Sequence, residues 1–220
     1  LGELPPNARL FTSGAVSMYT NIDTEHGIET IGKWLDLHKE EIDARSLFTF
    51  PFDLVKELLR IVMTSNVFQF DDCWYHQDNG TAMGTSVACV YATIYYSYHE
   101  ETKLLPTYQL SLLYYRQFID DIIGIWIPPN PTDSQWTAFN ADLSFGLLRW
   151  ETEALAHAVN FLYLTISVNH DYELTTRTFQ KAMNLYLYLC PSSSHPPSVM
   201  KGLISVSLPH LRAHATPEHP

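Results

Sequence analysis

Tyr114-Tyr115-Arg116-Gln117-Phe118-Ile119-Asp120-Asp121-Ile122-Ile123-Gly124-Ile125-Trp126 decides how this chain is read. Two adjacent carboxylates interrupt runs of aromatic and β-branched residues, and such runs favour strands. The stretch is expected to form a β-hairpin with an acidic tip. Side chains alternate between the faces of a strand, so Asp120 and Asp121 cannot both enter a core. A tight hairpin turn more readily centres on Asn-Gly or Asp-Gly, which makes Asp-Asp before Ile-Ile a poor turn. Two readings stand: a solvated acidic tip, since Asp is common in turns, and a site for a divalent cation. Hard oxygen ligands suit Mg²⁺, which takes one or two protein carboxylates together with substrate phosphates.

Outward from the hairpin, three other segments carry information. Ser13-Gly14-Ala15-Val16-Ser17-Met18-Tyr19-Thr20-Asn21-Ile22 lies upstream. Gln77-Asp78-Asn79-Gly80-Thr81-Ala82-Met83-Gly84-Thr85-Ser86 lies between, and Phe179-Gln180-Lys181-Ala182-Met183-Asn184-Leu185-Tyr186 follows. With the Asp-Asp hairpin they resemble, in order, the boxes of reverse transcriptases, and the Penelope-like retroelement branch in particular. The hairpin resembles the Phe/Tyr-x-Asp-Asp box, and residues 77–86 resemble Gln-x-x-Gly-Thr-Ala-Met-Gly-Thr/Ser. Residues 13–22 resemble a strand ending in Asp, two residues, then Ser-Leu/Met-Tyr-Thr-Asn-Ile, with Gly14 at the aspartate position. Asn160 to Ile166 resembles Phe-Leu-Asp-Leu-x-Ile, with Tyr163 in place of Asp. Two smaller departures are Ala182 for a proline and Ala88-Cys89 for Ala-Pro. The run Ser193, Ser194, His195, Pro196, Pro197 and Lys201-Gly202-Leu203-Ile204 continues the likeness, with His195 read as structural between its prolines.

The resemblance implies an α+β fold, a palm whose antiparallel sheet is backed by helices. Residues 1–178 would be the palm, with N-terminal fingers missing, and residues 179–220 the start of the connection to a thumb and a tail. It implies RNA-directed DNA polymerase chemistry on an RNA template and DNA primer with dNTP. Asp120 and Asp121 would be catalytic and would hold Mg²⁺, two ions being expected in the family. Tyr19 would floor the sugar site, while Gln77, Gly80, Met83 and Gly84 would border the template base and incoming nucleotide. Lys181 would meet a phosphate, a solvated lysine being the alternative. An intracellular, nuclear location is implied as well. The reaction uses two metal ions to activate the primer hydroxyl and steady the leaving pyrophosphate, and glycine at position 14 supplies no ligand. The expectation is a truncated, inactive polymerase. The alternative is a non-catalytic reverse-transcriptase-like interaction domain or retroelement remnant.

On residue chemistry alone the same positions have plainer readings. Gly80 and Gly84 let backbone approach a bulky partner, and the helix N-terminus after them suits an anion, but a glycine-containing loop leading into a core helix fits equally. Tyr19 is by itself an ordinary buried aromatic.

Composition sets bounds. The 220 residues, 46% of them hydrophobic and 13% aromatic, suit one domain or one and part of another, with a real core. The net charge of −11, from 24 acidic and 13 basic residues, argues against a basic nucleic-acid grip. No apolar run reaches the roughly 18 residues of a membrane span, so no membrane partner is expected. Three scattered cysteines make neither a disulfide framework nor a zinc site, and a reduced compartment follows as the default. The lack of an initiating Met suggests a fragment.

Periodicity supplies the remaining elements. Ala8–Thr12 reads as a strand. Residues 24–40 read as a helix capped by Asp23, with Ile28, Ile31, Trp34, Leu35 and Leu37 recurring on one face. Phe52 to Ser65 reads as a second helix with Leu54, Val55, Leu58, Leu59, Val62 and Met63 inward. Val67 to Gln77 reads as a hairpin turning at Asp71-Asp72. A helix is expected from Val87 to about Lys103, another over residues 132–148, a strand from His157 to Ser167 and its partner from Tyr172 to Thr178.

Overall fold

In chain order the elements are β1 (Arg9–Ala15), α1 (Thr24–Leu37), α2 (Lys39–Arg45), α3 (Phe52–Thr64), β2 (Val67–Phe70), β3 (Cys73–His76) and α4 (Ala88–His99). A π-helical turn (Glu100–Leu104) prolongs α4 into α5 (Leu105–Tyr108), and β4 (Leu112–Phe118), β5 (Asp121–Trp126) and α6 (Ser134–Asp142) follow. The described chain closes with β6 (Trp150–Thr152), β7 (Ala158–Phe161), β8 (Leu164–Val168) and β9 (Leu174–Thr178). The computed structural model describes residues 3–128, 134–179 and 198. Lys181, His195 and, apart from Ser198, the matched run from Gln180 to Ile204 lie outside these, as does the rest of the expected connection and tail.

The central sheet runs β4-β5-β1-β6 and is antiparallel throughout. Alternation along its strands divides the side chains between two cores. Phe11, Tyr115, Ile122 and Trp126 point to the helical side, joining Ile28, Ile31, Tyr91, Tyr95 and Phe139. Leu10, Ile123 and Ile125 point to the other side and meet Leu4, Ala8 and Val159. The β7-β8-β9 sheet supplies Val159 to that second cluster, so this face is covered at the Leu10–Ile125 end. The packing of α6 on the sheet is aromatic: Phe11 and Trp126 meet Trp136 and Phe139 edge-on or tilted, and Trp136 stacks on Phe139, at centroid distances of 5.1–5.6 Å.

α1 starts as its sequence demands, with the Asp23 carboxylate accepting from the His26 amide at 2.8 Å. α4 is held by its own polar tips. The Tyr96 hydroxyl donates to the Leu143 carbonyl at 2.7 Å and Tyr95 to that of Phe145 at 3.2 Å. His99 lies stacked on Phe145, and burial holds its imidazole below the usual range. At the next residue the π-turn buries Glu100, whose carboxylate accepts from Tyr115 at 2.7 Å.

Several elements differ from the sequence reading. The helix expected over 24–40 breaks at His38, so that α2 is separate, and Leu37 is exposed. The α4 rod runs on through the π-turn to Tyr108, and the helix expected over 132–148 ends at Asp142, with residues 145–148 turning back on themselves. The strand expected from His157 to Ser167 is a hairpin, β7 and β8, turning at Leu162-Tyr163 with Leu162 at φ 53°. Tyr172 lies in the turn before β9. The largest difference is α3. Phe52 and Met63 are buried and Val55 and Leu59 pack against the helical-side core as expected, whereas Leu54, Leu58 and Val62 stand exposed. The hairpin over 67–76 forms as expected, and Asp71 takes its turn at φ 55°.

Candidate functional site

The acidic hairpin is a two-residue turn. Phe118 pairs with Asp121, leaving Ile119 and Asp120 at the tip. Ile119 alone of the two has positive φ, 54°, at the first central position, where glycine is the usual occupant. A β-branched residue there is strained, and hydrogen bonds hold it: Gln117 Nε2 donates to the Ile119 carbonyl at 2.6 Å, and the Ala15 amide to that of Asp120 at 2.7 Å. That second bond ties the tip to the end of β1. Asp120 is exposed at the tip and Asp121 half-buried at the start of β5.

Register places the rest. Asp121 faces Gly14 across β5–β1, and Gly14 faces Glu151 across β1–β6. Directly opposed residues share a face, so Phe118, Asp121, Gly14 and Glu151 form one row across the sheet. Gly14 is in step with Leu10 and Thr12, so the row lies on the non-helical face. Neighbouring strands lie about 4.8 Å apart, so the backbones of Asp121 and Glu151 flank Gly14 across roughly 10 Å. A Cβ built on Gly14 would meet nothing within 4 Å. Beside it a 370 Å³ recess is lined by Gly14, Ala15, Val16, Glu151, Thr152 and Glu153. Thr12 Oγ1 donates to the Glu153 carboxylate at 3.1 Å, and Ser13 Oγ to the Glu151 carbonyl at 3.1 Å. On the far side of the row Arg116 lies 5.4 Å from the Tyr114 ring centroid and donates to the Tyr115 carbonyl.

Tyr19 and the glycine loop meet beside this row. The Thr81 amide donates to the Tyr19 carbonyl at 2.7 Å. Gly80 is buried at φ 76°, and a Cβ there would come within 2.5 Å of the Tyr19 carbonyl oxygen and 2.8 Å of Thr20 Cα. Only glycine allows that approach at that φ. Two segments far apart in the sequence, at Tyr19-Thr20 and Gly80-Thr81, are thus locked together by backbone. The Tyr19 hydroxyl shares a hydrogen bond with the Cys89 thiol at 3.1 Å. That contact, burial, and the nearby Cys89 and Asp120 push the phenol up to about 12. Gln77 is half-buried, its side chain donating to the Asn79 carbonyl at 2.8 Å. Met83 and Gly84 are exposed, Gly84 at φ 92° with open space around it.

The structure therefore gathers Asp120, Asp121, Gly14 and Tyr19 at one end of the sheet, with Gly80 bound to Tyr19 through backbone. Glu151, Glu153 and Cys89 belong to the same neighbourhood and were not singled out by sequence. β6 spans three residues, too few for alternation to reveal, and only its pairing brings Glu151 opposite Gly14. Tyr163, at the other position where the resembling family has Asp, sits 81% exposed in the β7–β8 turn.

A two-ion centre does not fit the residues present. Among the described residues no group of three or more His, Cys, Asp or Glu side chains is placed to hold a metal ion. The shortfall is local: Asp121, next to Asp120 at the tip, faces a glycine across the strand pair, and a Cβ there would have open space.

No known family profile matches the chain, and no curated protein does either. Solved structures do. Apo telomerase from Candida tropicalis matches with a TM-score of 0.55 at 14% identity, over 80% of this chain and 32% of that one. Telomerase from Candida albicans in complex with a TWJ fragment of telomeric RNA gives 0.55 at 14% identity, over 79% and 32%. The C. tropicalis enzyme with its TWJ fragment gives 0.53 at 12% identity, over 94% and 33%. The chain spans about a third of the length of these telomerases. Telomerase is a reverse transcriptase, and the fold of this chain is reverse-transcriptase-like.

Proposed function

We propose that this chain is the palm segment of a retroelement reverse transcriptase, of the Penelope-like kind, whose polymerase reaction has been lost. The observation that carries the proposal is the row Asp121–Gly14–Glu151 on the open face of the sheet, with free space above Gly14. A glycine opposite the acidic tip removes a ligand without disturbing a strand, so the fold persists and the reaction does not. The Tyr19–Gly80–Thr81 contact supports the reading, since it joins the first and second boxes as a nucleotide floor would require. RNA template, DNA primer and dNTP are the proposed ancestral partners, Mg²⁺ the ancestral cofactor and the nucleus the proposed location. Gln77, Met83, Gly84 and Lys181 are the proposed remainder of the nucleotide and template contacts. The test is primer extension on an RNA template by the full chain with Mg²⁺. No extension is expected. Robust extension that depends on Asp120 and proceeds with Gly14 in place would overturn the loss of reaction.

A second reading, a non-catalytic interaction domain that keeps the fold, draws on charge. Asp120, Glu151 and Glu153 are exposed along this face, in a chain of net charge −11. Such a surface repels phosphates. Failure to bind a primer–template duplex at low salt favours it, and tight, steeply salt-dependent binding excludes it.

A further inference from the structure

The apolar stripe of α3 faces solvent. Leu54, Leu58, Ile61 and Val62 are 52%, 50%, 52% and 41% exposed. They stand at i, i+4, i+7 and i+8, which is one side of a helix. The β2–β3 hairpin adjoins the end of that helix: His76 Nε2 donates to the Thr64 carbonyl at 2.8 Å, and the Gln77 amide to that of Asn66 at 2.9 Å. Strand pairing puts Phe68, Phe70 and Tyr75 on one face of the hairpin, all exposed, with Phe68 and Tyr75 stacked at 5.6 Å. An isolated two-stranded hairpin is marginal in water, and apolar patches of this kind mark interaction sites.

Charge identifies what covers the stripe. Asp53 and Glu57 are exposed and precede Leu54 and Leu58, so they run beside the stripe as an acidic row one turn apart. Asp71 and Asp72 close the exposed hairpin. The two cations of α3 are held by α1, Lys56 on Asp36 at 2.6 Å and Arg60 on Glu25 at 2.8 Å. Among the described residues no ion pair joins Asp53, Glu57, Asp71 or Asp72 to a cation. We propose that this face docks a basic amphipathic helix of a partner protein, with its apolar side chains on Leu54, Leu58, Ile61 and Val62 and its Lys or Arg side chains over Asp53 and Glu57. A second copy of this chain would bring acid against acid, and a nucleic acid would bring phosphate against acid. The inference deepens the interaction-domain reading but stands on α3, away from the Gly14 row, so a functional metal centre at that row would leave it intact.

The test is selection from a display library of helical peptides with fixed apolar positions and flanking positions varied among Lys, Glu and Gln, using the full chain as target. Selected clones are then measured by fluorescence anisotropy across a salt series. Enriched peptides are expected to carry net positive charge and to weaken with salt. Glu57→Lys should weaken them about tenfold, the scale of one rim charge pair in a good geometry, and Leu58→Glu with Ile61→Glu should abolish binding while circular dichroism stays unchanged. Enrichment without charge bias, enrichment of acidic peptides, binding that survives both variants, self-association through this face in sedimentation, or no enrichment would each overturn the proposal.

Discussion

Replacing Glu100 by Gln should stabilise the protein at alkaline pH and leave it nearly unchanged in acid. Glu100 opens the π-turn with 8% of its surface exposed. Burial pushes its carboxyl up from 4.5 to about 7, with the Tyr115 hydroxyl working the other way and Glu101 adding to the rise. Between those two values the folded chain keeps a proton that the unfolded chain has released. The protonated side chain's contribution is therefore complete below about pH 4.5, falls as pH rises, and is gone above about 7. At about 1.4 kcal/mol per pH unit the loss amounts to about 3 kcal/mol. Gln cannot ionise, and its carbonyl still accepts the Tyr115 hydrogen bond. Urea denaturation of both proteins, followed by tryptophan fluorescence from acid to pH 8, measures the difference directly. Other carboxylates, such as Asp142 held down by Lys103, contribute equally to both curves and cancel. With a urea slope near 3 kcal/mol per molar, the midpoint of the variant should lie about 1 M higher at pH 8. Parallel pH profiles for the two proteins would refute the argument, because they would mean that Glu100 titrates alike in the folded and unfolded chains.

The orientation of α3 is tested by Met63→Ala, expected to cost about 2–5 kcal/mol at a side chain 1% exposed, against Leu58→Ser, expected within about 0.5 kcal/mol, both by thermal melting. Gly80→Ala should destabilise by more than about 2 kcal/mol, since its Cβ meets backbone at a left-handed φ, whereas Gly84→Ala should cost about 1 kcal/mol in open space. Equal losses at the two glycines would break the proposed lock between the Tyr19 and Gly80 segments. Cys89→Ala should bring the Tyr19 phenol down from about 12 towards 10, because the Cys89 contact is the first cause of its rise, and an NMR titration of labelled tyrosine reads this.

The parts of the fold that sequence made legible are those where local chemistry and tertiary role agree. Asp23 caps α1 because a carboxylate before a helix has a free amide to accept from. The Asp-Asp hairpin forms where β-branched runs flank it. Where the two diverge, the reading fails. The α3 pattern correctly marks apolar positions, but periodicity cannot say which of them a neighbour covers: Val55, Leu59 and Met63 pack inward, while Leu54, Leu58 and Val62 stay exposed among the described residues. Leu162 and Ile119 turn the chain in left-handed conformations that neither residue type announces. Glu151 reaches the candidate site only through the pairing of a three-residue strand, a long-range fact with no local signature.

Gly14 is the point on which the functional proposal turns. Mg²⁺ is titrated calorimetrically into the full chain and into Gly14→Asp, which has room for its new side chain beside Asp121. The natural chain should bind weakly. The variant should bind at least about tenfold tighter, as expected when a carboxylate completes a set of hard oxygen ligands, and Asp121→Asn in the variant should cancel the gain. Tight binding of two ions by the natural chain, or no gain on introducing Asp at position 14, would contradict the assignment of Gly14 as the lost ligand.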